Sequence, residues 1–207
     1  MIDSQLRTNG VNDPAMLAAI ASVSRAAFVP ASAAALAYAD RAVPITSARA
    51  LNPPLTTARL IDDAQIAAGQ NVLLIGAASG YAAALLGALG ARVTAVESDP
   101  ALLVMARQAL GDRANITLVE APMASGAPDG APYDALIIDG AVESVPASLT
   151  QQLADGAQIA AGIFDTGVTR LARAIKMAGS DAVQPHVFAD LECARLPGFS
   201  PPPTFTF

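Results

Sequence analysis

The sequence predicts an α/β protein built on a mostly parallel, Rossmann-like sheet flanked by helices, and three observations carry that expectation. Asn71-Val-Leu-Leu-Ile-Gly76 is a short apolar run ending in glycine; Ala77, Ala78, Ser79 and Gly80 turn through small residues, and an apolar helix opens at Tyr81. Arg92-Val-Thr-Ala-Val-Glu97 is a second apolar run that ends in an acid, about 20 residues beyond the first glycine. Tyr133-Asp-Ala-Leu-Ile-Ile-Asp139 is a third, as expected for a strand buried on both faces. Apolar runs alternating with helical stretches make a parallel sheet.

The elements follow in order. Asn12-Asp13-Pro14 reads as a helix cap with proline at the first helical position, opening a helix through Met16, Leu17 and Ile20. A second short helix is expected over residues 33–39. Residues 40–57 hold Pro44, Pro53 and Pro54 and read as loop or extended chain. Leu60, Ile61, Ala64 and Ile66 lie at near-helical spacing within 57–67, and Gly69 ends that helix. After the second strand, Ser98-Asp99-Pro100 is another cap-plus-proline start, for a helix that Gly111 terminates. Residues 116–120 predict a strand, 122–132 a loop dense in glycine and proline, 146–154 a helix and 158–164 a strand. Residues 168–176 fit helix and strand equally well, and the tail 199–207 is expected to add a final edge strand. There is no internal repeat and no linker. The chain 1–207 is therefore read as one domain, with 1–70 as an N-terminal extension packed on a cofactor-binding core of 71–207.

The first strand, turn, helix and second strand form the front half of a nucleotide-type βαβ unit, in which an acid such as Glu97 holds the two hydroxyls of a ribose. A dinucleotide site wants G-x-G-x-x-G, whose third glycine lets a pyrophosphate sit close on the helix start. Here Ala78 lies between Gly76 and Gly80, and Tyr81 takes the third glycine's place. No Gly-Lys-Ser/Thr follows, so a P-loop is excluded, and no lysine or arginine lies between Arg59 and Arg92. The loop suits an adenosine ligand without phosphate, and S-adenosylmethionine fits. An ordinary βα turn with a glycine at each end remains the alternative.

Composition narrows the classes further. Hydrophobic residues make up 53% of the 207 and aromatics only 4%, with no tryptophan, so there is no stacking platform for single-stranded nucleic acid. A net charge of -6 argues against nucleic-acid or anionic-membrane partners. The apolar runs are interrupted well before the ~20 residues of a membrane span. No secretory signal is visible in Met1-Ile-Asp-Ser-Gln-Leu-Arg7, and cytoplasm is the default location. One histidine, His186, and one cysteine, Cys193, argue against a zinc site. His186 is read as a surface or structural residue, Cys193 as an inert small hydrophobe and Asp62-Asp63 as a solvated helix face.

With these residues in view, the chain resembles the protein-L-isoaspartate (D-aspartate) O-methyltransferases over most of its length. Arg25-Ala-Ala-Phe28-Val29-Pro30 resembles that family's Arg-x-x-Phe-Val-Pro, and Tyr38-Ala39-Asp40 its Tyr-x-Asp. Ala50-Leu51-Asn52-Pro53-Pro54 stands where the family has Thr-Ile-Ser-x-Pro. Residues 72–81 resemble Val-Leu-Glu-Ile-Gly-x-Gly-Ser-Gly-Tyr, and Ala131-Pro132-Tyr133-Asp134-Ala135 the family's Ala-Pro-Tyr/Phe-Asp-Ala. The resemblance implies a class I methyltransferase sheet, S-adenosyl-L-methionine as cofactor, isoaspartyl-containing peptides or proteins as substrate, and a role in protein repair. It places the cofactor on Gly76, Ala77, Ala78, Ser79, Gly80, Tyr81, Glu97, Ser98, Glu120 and Ala121.

The departures fall at contact positions. Asn52 replaces the family's substrate-binding serine, Leu74 its first-motif acid, Ala78 its middle glycine, and Glu120-Ala121-Pro122 its Gly-Asp-Gly; Asp139 stands where a small or hydroxyl residue is usual. Asn52 and Asp139 are the candidate catalytic residues, expected to face each other across the mouth of the site. Asn52 would orient a carboxylate through its amide. Asp139 would serve as base or hydrogen-bond partner for an acceptor, or would only cap the next helix. Three functions remain in play: isoaspartyl methyl transfer, methyl transfer to a different small-molecule acceptor, and a non-catalytic relative used as a binding or scaffolding module.

Overall fold

The computed structural model describes residues 1–199. Helix α1 (Pro14–Ser22) starts at the expected cap: the Asp13 carboxylate accepts the Met16 N–H at 2.8 Å. The short helix expected over 33–39 is a 3₁₀ segment, Ala31–Leu36, too brief to sustain α-helical bonding. Two short strands, β1 (Val43–Pro44) and β2 (Ala50–Leu51), pair antiparallel inside the expected loop. Helix α2 (Pro54–Asp63) begins earlier than expected, because Pro54 at a first-turn position gives up only an N–H that the helix leaves unbonded. It also ends earlier, since Gln65 turns left-handed at φ 51°.

The βαβαβ run matches the expectation: β3 (Asn71–Ile75), α3 (Tyr81–Ala88), β4 (Arg92–Glu97), α4 (Pro100–Leu110) and β5 (Ile116–Glu120). Asp99 caps α4 by accepting the Ala101 N–H at 2.8 Å, and Gly111 ends it at φ 60°. Beyond it lie β6 (Tyr133–Val142), the one-turn α5 (Ala147–Thr150), β7 (Leu153–Asp165), β8 (Val168–Ile175) and β9 (His186–Ala189). The helix expected over 146–154 shrinks to α5 because Leu153 is drawn into β7, where it pairs with Tyr133. Residues 168–175 resolve to strand, paired antiparallel with β7 along its whole length. The expected tail strand falls almost wholly on 200–207, outside the described residues.

The sheet has seven strands in the order β5-β4-β3-β6-β7-β8-β9. The first five in that order run parallel, and β8 and β9 add antiparallel at one edge. Adjacent residues of β3 point to opposite faces: Leu74 belongs to one buried cluster, Leu73 and Ile75 to the other, all three at 0% exposure. Helices α1 to α4 cover the first face, while the second is closed by 3₁₀ turns, α5 and the segment around Leu196. Chain direction across the sheet reverses between β3 and β6. Ligands of open α/β sheets bind outside the carboxyl ends of the strands at such a switch point. Gly76, Glu97 and Asp139 all lie there.

Candidate functional site

The loop after β3 is shaped by its own amides. Gly76 N–H and Ala77 N–H both donate to the Val96 carbonyl at 3.1 Å, Ala78 N–H to Glu97 Oε2 at 2.9 Å, and Gly80 N–H to the Ala77 carbonyl at 2.8 Å. Four of the loop's amides thus turn inward, toward β4, Glu97 and the loop itself. Gly76 and Gly80 adopt φ 80° and 98°; Ala78 also sits left-handed, at φ 50°, in the place where the resembling family carries glycine. Ser79 donates from Oγ to the Phe28 carbonyl, which fastens the Phe28-Val29-Pro30 segment to the loop. Tyr81 is 2% exposed, stacked edge-on to Phe28 and covered by the Arg25 guanidinium 4.6 Å from its ring centre.

Glu97 is completely buried, and both of its carboxylate oxygens are bonded. Oε1 accepts from Arg49 Nη1 at 2.7 Å, Ser98 N–H at 2.9 Å and Asp99 N–H at 3.2 Å, while Oε2 takes Ala78 N–H. A carboxylate oxygen has about two acceptor positions, so Oε1 is saturated, while Oε2 keeps one beyond the Ala78 amide. Beyond Glu97 lies an open cleft of about 450 Å³, lined by Ser98, Glu120, Ala121, Pro122 and Met123, with Pro197 and Gly198 as its far wall. Ser98 and Glu120 are solvent-exposed there.

Asn52 and Asp139 touch, rather than facing each other across an open mouth. Asn52 Nδ2 donates to Asp139 Oδ1 at 2.8 Å, Thr57 Oγ1 donates to the same oxygen at 3.0 Å, and Asn52 Oδ1 accepts the Ala194 N–H at 2.7 Å. Asp139 therefore bonds to side chains from the extension; it does not cap α5, whose N-terminus has no side-chain cap. Burial pushes its carboxyl above the usual carboxylate range, against the opposing pull of Asn52, Thr57, Arg25 and Arg49. Arg25, itself wholly buried, donates to the Ala37 and Asn52 carbonyls, and burial lowers its pKa.

Above Gly76 the crevice is filled by the chain itself. A Cβ on Gly76 would lie 2.9 Å from Leu196 Cδ1, and one on Gly140 only 2.6 Å from Leu196 Cδ2. The Leu196 side chain thus rests on both glycines at the switch point.

Sequence reasoning missed four participants: Arg49, Thr57, Arg25 as a site residue, and Leu196. The tract between Arg59 and Arg92 has no basic residue, yet Arg25 and Arg49 arrive from the extension. Among the four, only Arg25 carried a signal, as the first residue of its motif. Asp62-Asp63 is less solvated than expected: Asp63 pairs with Arg59 at 2.9 Å, and burial raises the Asp62 carboxyl. Cys193 is buried, which pushes its thiol well above the usual value, and His186 is exposed on β9. Among the described residues no helix is long and apolar enough to cross a membrane, and no group of three or more His, Cys, Asp or Glu is placed to hold a metal.

Comparison with known proteins adds three findings. The family model described as protein-L-isoaspartate(D-aspartate) O-methyltransferase matches residues 1–188. A protein-L-isoaspartate O-methyltransferase of Methylorubrum populi is 38% identical over 176 residues, covering 84% of this chain and 82% of that one. Among solved structures, one described as a protein-L-isoaspartate O-methyltransferase superposes with a TM-score of 0.80 at 18% identity, over 93% of this chain and 64% of that one. A second, a putative enzyme of the same description from Plasmodium falciparum in complex with S-adenosyl-L-homocysteine, gives 0.75 at 15% identity over 93% and 94%. These two show the fold, a class I methyltransferase sheet.

Proposed function

We infer that this chain, which belongs to the protein-L-isoaspartate(D-aspartate) O-methyltransferase family, is an S-adenosylmethionine-dependent methyltransferase. Its acceptor is the carboxylate of L-isoaspartyl or D-aspartyl residues in damaged proteins. The reading takes 1–207 as one functional unit, places it in the cytoplasm as a repair enzyme, and gives it no nucleic-acid partner. The observation that carries it is the meeting of family match and geometry: a glycine loop, a strand-end acid and an Asn52–Asp139 pair converge on one switch-point crevice.

The residues fit the adenosine end of the cofactor. Glu97 stands at the ribose position, and the cleft bounded by Ser98, Glu120 and Ala121 can take a planar base. The backbone from Gly76 to Tyr81 would line the methionine end, where Leu196 now lies. Bound S-adenosylmethionine would supply an activated methyl group on a good leaving group. The chain's own share is alignment and exclusion of water, since a carboxylate acceptor is already anionic and needs no general base. Asn52 Nδ2 has a second N–H beyond the one given to Asp139, and can donate it to an acceptor oxygen. An ionised Asp139 ~4 Å from that acceptor would cost about 4 kcal/mol at an effective dielectric near 20. Burial favours the neutral carboxyl and so works against this repulsion.

The test is transfer of labelled methyl to an isoaspartyl peptide against the same peptide with aspartate. We expect transfer to the first alone, raised in Asp139→Thr. Asp139 also favours a second reading, a hydroxyl or amine acceptor. In that case isoaspartyl peptide is inert, and Asp139→Asn abolishes transfer to the true acceptor.

A further inference from the structure

We propose that Leu196 and Arg49 close the cofactor crevice from within the chain, so that ligand enters only when the strap formed by residues 193–198 lifts and Arg49 leaves Glu97. The proposal rests on reading this crevice as the cofactor site and concerns how that site is controlled. Three observations carry it.

The first is position. Leu196 lies on Gly76 and Gly140, at the carboxyl ends of β3 and β6, where the reversal of strand order opens the crevice. It is only 8% exposed, and its side chain fills the space above both glycines. The second is saturation. The Glu97 carboxylate is wholly buried, and its Oε1 takes Arg49, the Ser98 and Asp99 amides and Ser98 Oγ, so a ribose hydroxyl reaches that oxygen only by displacing one of them. The two amides are fixed by the fold and the Ser98 hydroxyl is distant at 3.5 Å, so Arg49, a long side chain at 2.7 Å, is the donor whose departure frees the oxygen. The third is asymmetry. The outer end of the same crevice stays open, with Pro197 and Gly198 of the strap as its wall. An adenine could therefore dock before the inner half is freed.

The strap is held by few bonds. Leu196 N–H donates to the Ala141 carbonyl at 2.9 Å, Ala141 N–H to the Ala194 carbonyl at 2.8 Å, Ala194 N–H to Asn52 at 2.7 Å, and Cys193 N–H to Thr169 Oγ1 at 3.1 Å at the strap's base. The exposed Arg195 pairs with Glu143 at 3.0 Å and stacks on Phe164. A segment tied to the sheet by one short bridge can open locally without unfolding the sheet. Asn52 joins the strap to the acceptor side of the site, so that lifting the strap also frees the amide proposed to orient the substrate carboxylate.

The experiment is calorimetric titration of the full chain and of Leu196→Gly and Leu196→Ala with S-adenosylhomocysteine, together with hydrogen exchange at Leu196 and Ala141. A closed majority state reduces apparent affinity by its population, so Leu196→Gly should bind about tenfold tighter or better, with Leu196→Ala in between. In the unsubstituted chain, saturating ligand should speed exchange at the Leu196 amide, a readout that does not depend on how well the variants fold. Equal affinity in all three proteins, with ligand protecting that amide, would overturn the proposal and leave the methyltransferase reading standing. No binding to any of the three at millimolar ligand would overturn both.

Discussion

Arg49→Met offers the most direct look at how the site is held. The Arg49 Nη1 to Glu97 Oε1 distance is 2.7 Å, with side chains 5% and 0% exposed. At an effective dielectric near 20 that contact is worth about 6 kcal/mol of Coulomb attraction, set against a desolvation cost of several kcal/mol per ion. Removing one partner of a buried pair typically costs about 3–5 kcal/mol, because the other charge stays behind. Glu97 would keep its bonds from the Ala78, Ser98 and Asp99 amides, so the loss should fall near the lower bound, about 3 kcal/mol. For a chain of this size that corresponds to a fall of roughly 6–12 °C in melting temperature. Urea denaturation of Arg49→Met, Glu97→Gln and the double variant completes the cycle. The double variant should be more stable than the sum of the singles by about 1–3 kcal/mol. A single-variant loss under about 1 kcal/mol, or simple additivity, would refute the argument that this pair is buried and coupled.

Asp139→Asn should alter stability in a pH-dependent way. Burial raises the Asp139 carboxyl in the folded chain, so its contribution is fully present below the unfolded value and is lost as pH rises through the folded one. The stability of Asp139→Asn relative to the unsubstituted chain should therefore improve as pH climbs above ~4, and a flat difference from pH 4 to 8 in urea denaturation would count against it. Ala78→Gly relieves an alanine held at φ 50°; the strain of about 1–2 kcal/mol, less the entropy of a new glycine, leaves a gain of about 0.5–1 kcal/mol, read as a raised urea midpoint. Gly162→Ala puts a Cβ 2.7 Å from the Gly140 carbonyl oxygen and 2.6 Å from Cys193 Sγ. Backbone on a neighbouring strand cannot yield as a side-chain tip can, so a loss of about 1–3 kcal/mol is expected from thermal unfolding.

Legibility followed the range of the contacts involved. Asp13, Asp99 and Gly111 act on groups one to four residues away, and their caps and stop were readable directly. The apolar runs of β3 and β4 and the closing Glu97 were readable because a strand covered on both faces needs apolar side chains at successive positions, and a short run bounded by glycine or an acid is too brief for a helix. Residues 146–154 misled because Leu149 and Leu153 keep helical spacing, whereas Leu153 is claimed by its pairing with Tyr133, a partner 20 positions back that no local pattern names. Pro53 and Pro54 suggested loop, since a proline that breaks a helix and one that begins it look alike until the following turn is placed. In the site, Glu97 and Asp139 were found by their place at strand ends. Arg49 was not, because Ser47-Ala-Arg-Ala50 carries no pattern, and its partner lies 48 positions away. Leu196 was hidden for the opposite reason: one leucine among the apolar residues of this chain gives no hint that it lies on two glycines.

The hydrogen bond from the Ala194 amide to Asn52 spans 142 positions of a 207-residue chain. Asn52 leaves the ribosome long before Ala194 does, and domains made at about 5–20 residues per second begin folding from the leading end. The nascent chain can thus complete the βαβαβ run while the corner around Asn52 is still unfinished, with Asp139 held by Asn52 and Thr57 but the crevice uncovered. Only synthesis through residues 193–198 brings the strap across. A chain cut short before residue 194 would retain every motif by which its family is recognised and lack the segment that governs access to them.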